Sequence, residues 1–134
     1  MNVNECIFFS LTSSARRASK FWKQSVSELG VTGVQGLVLN ALSEEDQTSS
    51  VQLGKHVQLD SATMTGVLDR LEQSNLIRRT ADAQDRRAVR IMLTAAGKDV
   101  TEKLKHKLVE ANQNYTQNLS DQELQTLKKL LAKL

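Results

Sequence analysis

Arg70, Arg78, Arg79, Arg86, Arg87 and Arg90 are six of the eight arginines in this 134-residue chain, and between positions 70 and 90 only Glu72, Asp82 and Asp85 oppose them. That window alone carries +3, the formal net charge of the whole protein. Guanidinium groups are charged at any physiological pH, and their planar fork of donors suits phosphate oxygens and insertion into a groove. Clustered on one short element, they make nucleic acid the first partner to consider; the same +3 spread evenly would say little. Enzymatic chemistry has no comparable signal: no Ser-His-Asp spacing, glycine-rich phosphate loop or evident pair of catalytic carboxylates emerges. His56 and His106 are the only histidines, and neither stands at ligand spacing from the other or from Cys6, so neither a metal site nor a cofactor is expected.

At this length the chain holds one domain with a real core. A hydrophobic fraction of 40% and a charged fraction of 25% are those of an ordinary globular protein. No apolar run approaches the roughly 18 residues a membrane helix needs, so no membrane partner is expected. The N-terminus has no basic segment of the secretory kind, and the lone Cys6 excludes an internal disulfide; both point to the cytoplasm.

The elements that must position the arginines follow from periodicity. Phe8, Leu11, Ala15, Ala18, Trp22, Val26 and Leu29 recur at steps of three and four, the stripe of a long first helix stopped by Gly30. Thr32 and Gln35 form a capping box for a second helix with Val34, Leu37, Val38, Ala41 and Leu42 inward. Residues 43–48 read as a loop. Ser49 or Ser50 caps a short third helix carrying Val51, Leu53 and Val57; Asp60 or Ser61 caps a fourth with Met64, Val67, Leu68 and Leu71 inward. Asn75 stands where that helix must stop, and asparagine tolerates the left-handed conformation of such a stop.

The period then changes from 3.6 to 2. Residues 77–81 pair with the strand of Val89, Ile91 and Leu93, and residues 82–87 form the turn region. Thr94 opens a helix with Val100, Leu104, Leu108, Ala111 and Tyr115 on one face. Ser120 and Glu123 cap a last one bearing Leu124, Leu127, Leu130, Leu131 and Leu134. Two short helices around a tight turn at residues 58–60, with Gly54 where they approach, match a helix-turn-helix, and the hairpin after it is a wing. The fold class is therefore mainly α with a small β-hairpin wing.

Three segments carry a resemblance to a known family: LDSATMTGVLDRLEQSNLIRR, the DRR at Asp85, Arg86 and Arg87, and the L-T-x-x-G from Leu93 to Gly97. Together they resemble the MarR (multiple antibiotic resistance regulator) family of bacterial winged-helix repressors, over essentially the whole chain. The resemblance implies one MarR-type domain over 1–134, with dimerisation helices at about 4–29, 95–117 and 121–134 around a winged helix-turn-helix at about 32–94. It implies a homodimer that reads a pseudo-palindromic operator in double-stranded DNA and represses transcription until an effector, a small aromatic molecule in some relatives, releases it. Phe21 and Trp22 are the residues the resemblance offers for such a pocket, although packing roles explain both. The family commonly has glycine where this chain has Asn75.

In this reading Ser61, Thr63, Thr65 and Arg70 of the recognition helix face DNA. Arg87 enters the minor groove with Asp85 as its orienting partner, and Arg86 contacts phosphate. Thr63 and Thr65 lie two apart, so they do not share one narrow face. Some relatives sense peroxide through a first-helix cysteine. Ungapped alignment through Val31, Thr32 and Gln35 puts that position at Phe8, about 200° round a helix from Cys6, and the family's partner tyrosines fall at Thr12, Trp22 and Gly33. A thiol-based redox role for Cys6 is therefore an alternative, as is a winged-helix module that binds protein and no DNA.

Overall fold

The computed structural model describes residues 2–85 and 87–134. The chain forms two compact units. One combines the segment ending at Ser25 with the segment beginning at Lys107; the other is Val26–His106.

The second unit contains helix α2 (Gly33–Glu44), strand β1 (Thr48–Ser49), helices α3 (Ser50–Val57) and α4 (Ser61–Gln73), strands β2 (Ile77–Ala81) and β3 (Val89–Leu93), and the start of helix α5 (Ala95–Tyr115). Their ends lie where local chemistry places them. Thr32 with Gln35 and Ser49 with Gln52 close capping boxes, satisfying main-chain donors that no helical carbonyl can reach. At α4 it is Asp60, not Ser61, that caps: its carboxylate accepts the Thr63 N–H at 2.8 Å, and Ser61 becomes the first helical residue. Gly30 and Asn75 stop their helices in the left-handed region, at φ 72° and 58°.

Val38, Leu39, Leu42, Leu53, Met64, Leu68, Leu71, Ile77 and Ile91 form the core of this unit, none more than 2% exposed. Two expectations for α2 fail. Val34 and Leu37 are 40% and 46% exposed, whereas Gly36 and Leu39 are buried. Because α2 packs on α3, α4 and β3, its buried arc is wider than one stripe and is rotated away from Val34 and Leu37. Val51 and Val89, also expected inward, are exposed for a simpler reason: each stands at the margin of its element, at the first turn of α3 and at the turn end of β3.

The wing is a three-stranded antiparallel sheet in the order β1-β3-β2, with Thr48 opposite Ile91 and Ile77 opposite Leu93. β1 replaces the end of the expected loop. Two residues show no alternation, and the strand exists only because distant β3 offers a ladder to it. Arg90 braces the same edge, its Nη1 donating to the Gln47 carbonyl at 2.7 Å and its Nε to Asp82 at 3.0 Å.

Two devices join the wing to the helices. At the L-T-x-x-G motif, Leu93 is buried, the Thr94 hydroxyl donates to the Asn75 carbonyl at 2.7 Å, and the same oxygen accepts the Gly97 N–H at 3.0 Å, capping α5. A side chain at Gly97 would overlap the main-chain carbonyl of Leu76, so the motif's glycine is a packing requirement. On the other side, Arg79 of β2 reaches back to α4. Its Nη2 bonds Asp69, its Nε and Nη2 bond Glu72 at 3.2 and 2.9 Å, and its N–H also donates to Glu72 at 3.1 Å. Charge-assisted, forked bonds of this kind fix direction as well as distance.

The first unit holds the body of helix α1 (Ile7–Val26), the end of α5, and helix α6 (Asp121–Leu131), which Ser120 and Glu123 open with a capping box. Phe21 and Tyr115 meet with ring centroids 5.1 Å apart. Little else apolar is covered. Of the fifteen exposed large hydrophobic side chains among the described residues, eleven belong to this unit, among them Ile7, Phe8, Phe9, Leu127, Leu130, Leu131 and Leu134.

Gly97→Ala should cost roughly 1–3 kcal/mol, since a carbonyl in the α4–β2 turn cannot yield as a flexible side chain would; a melting temperature equal to the parent's would contradict the packing argument. Arg79→Ala should lower the melting temperature at neutral pH, and the gap from the parent should close in acid. Hydrogen bonds from Arg79 depress the folded pKa of Glu72, so its contribution is complete above the ordinary carboxylate value and is lost as pH falls through the lower folded value. Melting curves of both proteins from pH 7 to pH 3 check this.

Candidate nucleic-acid interface

With about 100° per residue, the buried Met64, Leu68 and Leu71 define the inward side of α4. The line opposite them runs through Ala62, Gly66, Asp69 and Gln73. Thr63 and Arg70 flank it on one side, Thr65 on the other, and Ser61 lies nearer the core. All four expected residues are exposed, but they share no single face. The two threonine hydroxyl protons are already engaged: Thr63 Oγ1 donates to Asp60 at 2.8 Å and Thr65 Oγ1 to the Ser61 carbonyl at 2.9 Å. Toward a partner each therefore offers a methyl group and acceptor lone pairs. The Ser61 hydroxyl makes no hydrogen bond among the described residues.

At the wing tip, Asp82 N–H donates to the Ala88 carbonyl and Ala88 N–H to the Asp85 carbonyl, both at 3.0 Å, closing the turn. The Asp85 carboxylate accepts the main-chain N–H of Arg87 at 2.9 Å. Asp85 thus acts on Arg87 through the backbone, not by the guanidinium pair expected of an orienting partner. Arg87 is exposed and leaves its guanidinium uncommitted among the described residues. Arg86, expected at phosphate, lies outside the described residues.

The six-arginine cluster consequently divides. Arg79 and Arg90 are internal braces. Hydrogen bonds from Arg79 hold Glu72 below the usual carboxylate range, and Glu72 and then Asp69 raise the Arg79 pKa further. Asp82 is held low by the Gln84 N–H and then by Arg90. Glu72 and Asp82 are held in the ionised form, so each brace is neutralised where it stands. Arg70, Arg78 and Arg87 remain as exposed arginines without an ion pair among the described residues. Asp60, kept low by the Thr63 N–H and hydroxyl, places a fixed negative charge at the N-terminus of α4. No short-range pattern marks Asp69, Glu72 or Gln47 as partners of arginines in other elements, and sequence reasoning missed all three.

The remaining candidates lie in the first unit. Cys6 is a half-buried free thiol just before α1, while Phe8 is exposed. Phe21 and Trp22 are half-buried, Phe21 against Tyr115. Among the described residues, no group of three or more His, Cys, Asp and Glu is placed to hold a metal, and no helix is long and apolar enough to cross a membrane. His56 instead lies 3.5 Å from Glu44.

Comparison with known proteins agrees with this geometry. The MarR family model matches residues 31–89, the segment from the start of α2 to the wing. The HTH-type transcriptional regulator SarZ of Staphylococcus epidermidis is 35% identical over 95 residues, covering 71% of this chain; the chain spans only 63% of SarZ. The HTH-type transcriptional regulator MgrA of Staphylococcus aureus is 30% identical over 136 residues, covering 99% of this chain and 90% of MgrA. Among solved structures, a cysteine-to-serine mutant of MarR from E. coli complexed with operator DNA superimposes with a TM-score of 0.88 at 27% identity, covering 97% of this chain and 95% of that one. Winged-helix architecture, family model and near full-length likeness coincide, and this chain belongs to the MarR family.

Proposed function

We propose that the protein is a sequence-specific regulator of transcription that binds pseudo-palindromic double-stranded DNA as a homodimer in the cytoplasm and represses by occupancy. The observation that carries this is the division of labour among the arginines. Arg79 and Arg90 hold the wing rigidly, which leaves Arg87 free at its tip and Arg70 free on α4. That a relative with this fold was solved on operator DNA supports the reading. In the proposed complex α4 enters the major groove, with Ser61, Thr63, Thr65 and Arg70 as contacts. Arg87 enters the flanking minor groove, and Arg86 meets phosphate. Narrow A/T-rich minor grooves concentrate negative potential, so preference at the flanks should follow groove width.

Dimerisation follows from the uncovered apolar side chains of the first unit, which a second copy would remove from water. Two copies place two recognition helices on half-sites about one helical turn apart. An effector would act by changing that separation, because misplacing one helix loses the two-site advantage. Phe21 and Trp22 are candidate contacts for a small aromatic effector.

Selection from random duplex DNA should enrich a two-fold symmetric site. On that site Arg87→Ala should weaken binding by on the order of 1–3 kcal/mol per contact while the melting temperature stays unchanged; equal affinity would remove the wing from the interface. Asp85→Asn keeps an acceptor for the Arg87 N–H and sheds a negative charge near DNA, so it should bind at least as tightly as the parent. Asp85→Ala, which loses the acceptor, should bind more weakly. Sedimentation at micromolar concentration should give twice the 14.9 kDa chain mass, and Leu127→Glu with Leu131→Glu should shift it toward monomer and cut operator affinity. A monomeric parent would sink the two-half-site mechanism.

A further inference from the structure

Gly66 stands in the middle of α4, where glycine is the poorest helix former after proline. Three other glycines answer an internal need: Gly30 has a φ of 72°, a Cβ at Gly54 would sit 3.2 Å from the Leu59 carbonyl oxygen, and one at Gly97 would overlap the Leu76 carbonyl. Gly66 has neither excuse. Its φ is ordinary and a Cβ built on it meets nothing within 4 Å. Alanine would suit the fold better, so whatever requires glycine approaches from outside.

Gly66 lies about 15° from the direction opposite the core, between Thr63 and Arg70 on one flank and Thr65 on the other. Threonines reach only a short way from a helix axis, and a major groove about 12 Å wide barely admits a helix about 10–12 Å across. For such short side chains to meet base edges, the backbone itself must come close to the groove floor. The outermost point of the helix is where a side chain would hold it off. We propose that Gly66 is a specificity-determining residue whose missing side chain lets α4 seat deeply enough for Thr63 and Thr65 to reach the bases, an inference that rests on the DNA-reading role proposed above.

The test uses the full-length protein, the duplex enriched by the parent from a random library, and a scrambled duplex. Gly66→Ala and Gly66→Leu should both melt at or above the parent's temperature. Affinity for the enriched site should fall about tenfold with alanine and further with leucine, the scale of one lost base contact, while affinity for scrambled duplex changes far less. Variants that hold the enriched site as tightly as the parent would overturn the inference, as would equal losses on both duplexes or a lower melting temperature, which would show that Gly66 serves the fold. A parent that enriches no sequence would instead reject the DNA-reading role, so the two failures are distinct.

Discussion

The contact between Arg79 and the pair Asp69 and Glu72 decides what the rest of the second unit can do. A two-stranded ribbon on its own is only marginally stable, and its direction relative to a neighbouring helix is free to vary. Here a strand side chain grips α4 through its guanidinium, and its own N–H joins the grip. Arg90, bonded to Asp82 and to the Gln47 carbonyl, ties the turn after β2 to the segment before β1 and so braces the sheet itself. Helix and wing are thereby tied into one body, which the proposed meeting of side chains on two elements with two grooves of one duplex requires.

Electrostatics follow from this arrangement rather than from the net charge. Carboxylates held ionised by hydrogen bonds cancel the braces, and the positive charge left exposed by the arginine cluster among the described residues narrows to Arg70, Arg78 and Arg87. Such a surface suits positional recognition better than general attraction, because phosphate contacts set register while groove contacts carry sequence. The polar face of α4 is equally sparing: its threonine hydroxyl protons are engaged internally, and its outward line includes Ala62 and Gly66.

Much of the architecture was legible in the sequence because it rests on local rules. The capping pairs Thr32 with Gln35 and Ser120 with Glu123, the stops at Gly30 and Asn75, and both hairpin strands all follow from spacing over a few residues. What escaped depends on partners far away in the chain. β1 needs β3, the exposure of Val34 and Leu37 reflects three neighbours packing around α2, and the roles of Arg79 and Arg90 depend on residues up to 43 positions distant. At the candidate site, residue types were readable but their commitments were not. Arg70, Arg78, Arg79, Arg87 and Arg90 looked alike until the fold separated braces from free groups, and Asp85 proved to act through the backbone of Arg87.

Hydroxyl-radical footprinting of the parent on its enriched operator tests the central claim most directly, since it shows where a two-fold reading head touches both strands. Protected segments should be related by two-fold symmetry, with half-site centres about one helical turn apart and further protection of the flanking minor grooves where the wings lie. A single unpaired patch, or protection without the flanks, would contradict an account in which α4 and the wing read DNA as one rigid unit in each half of a dimer.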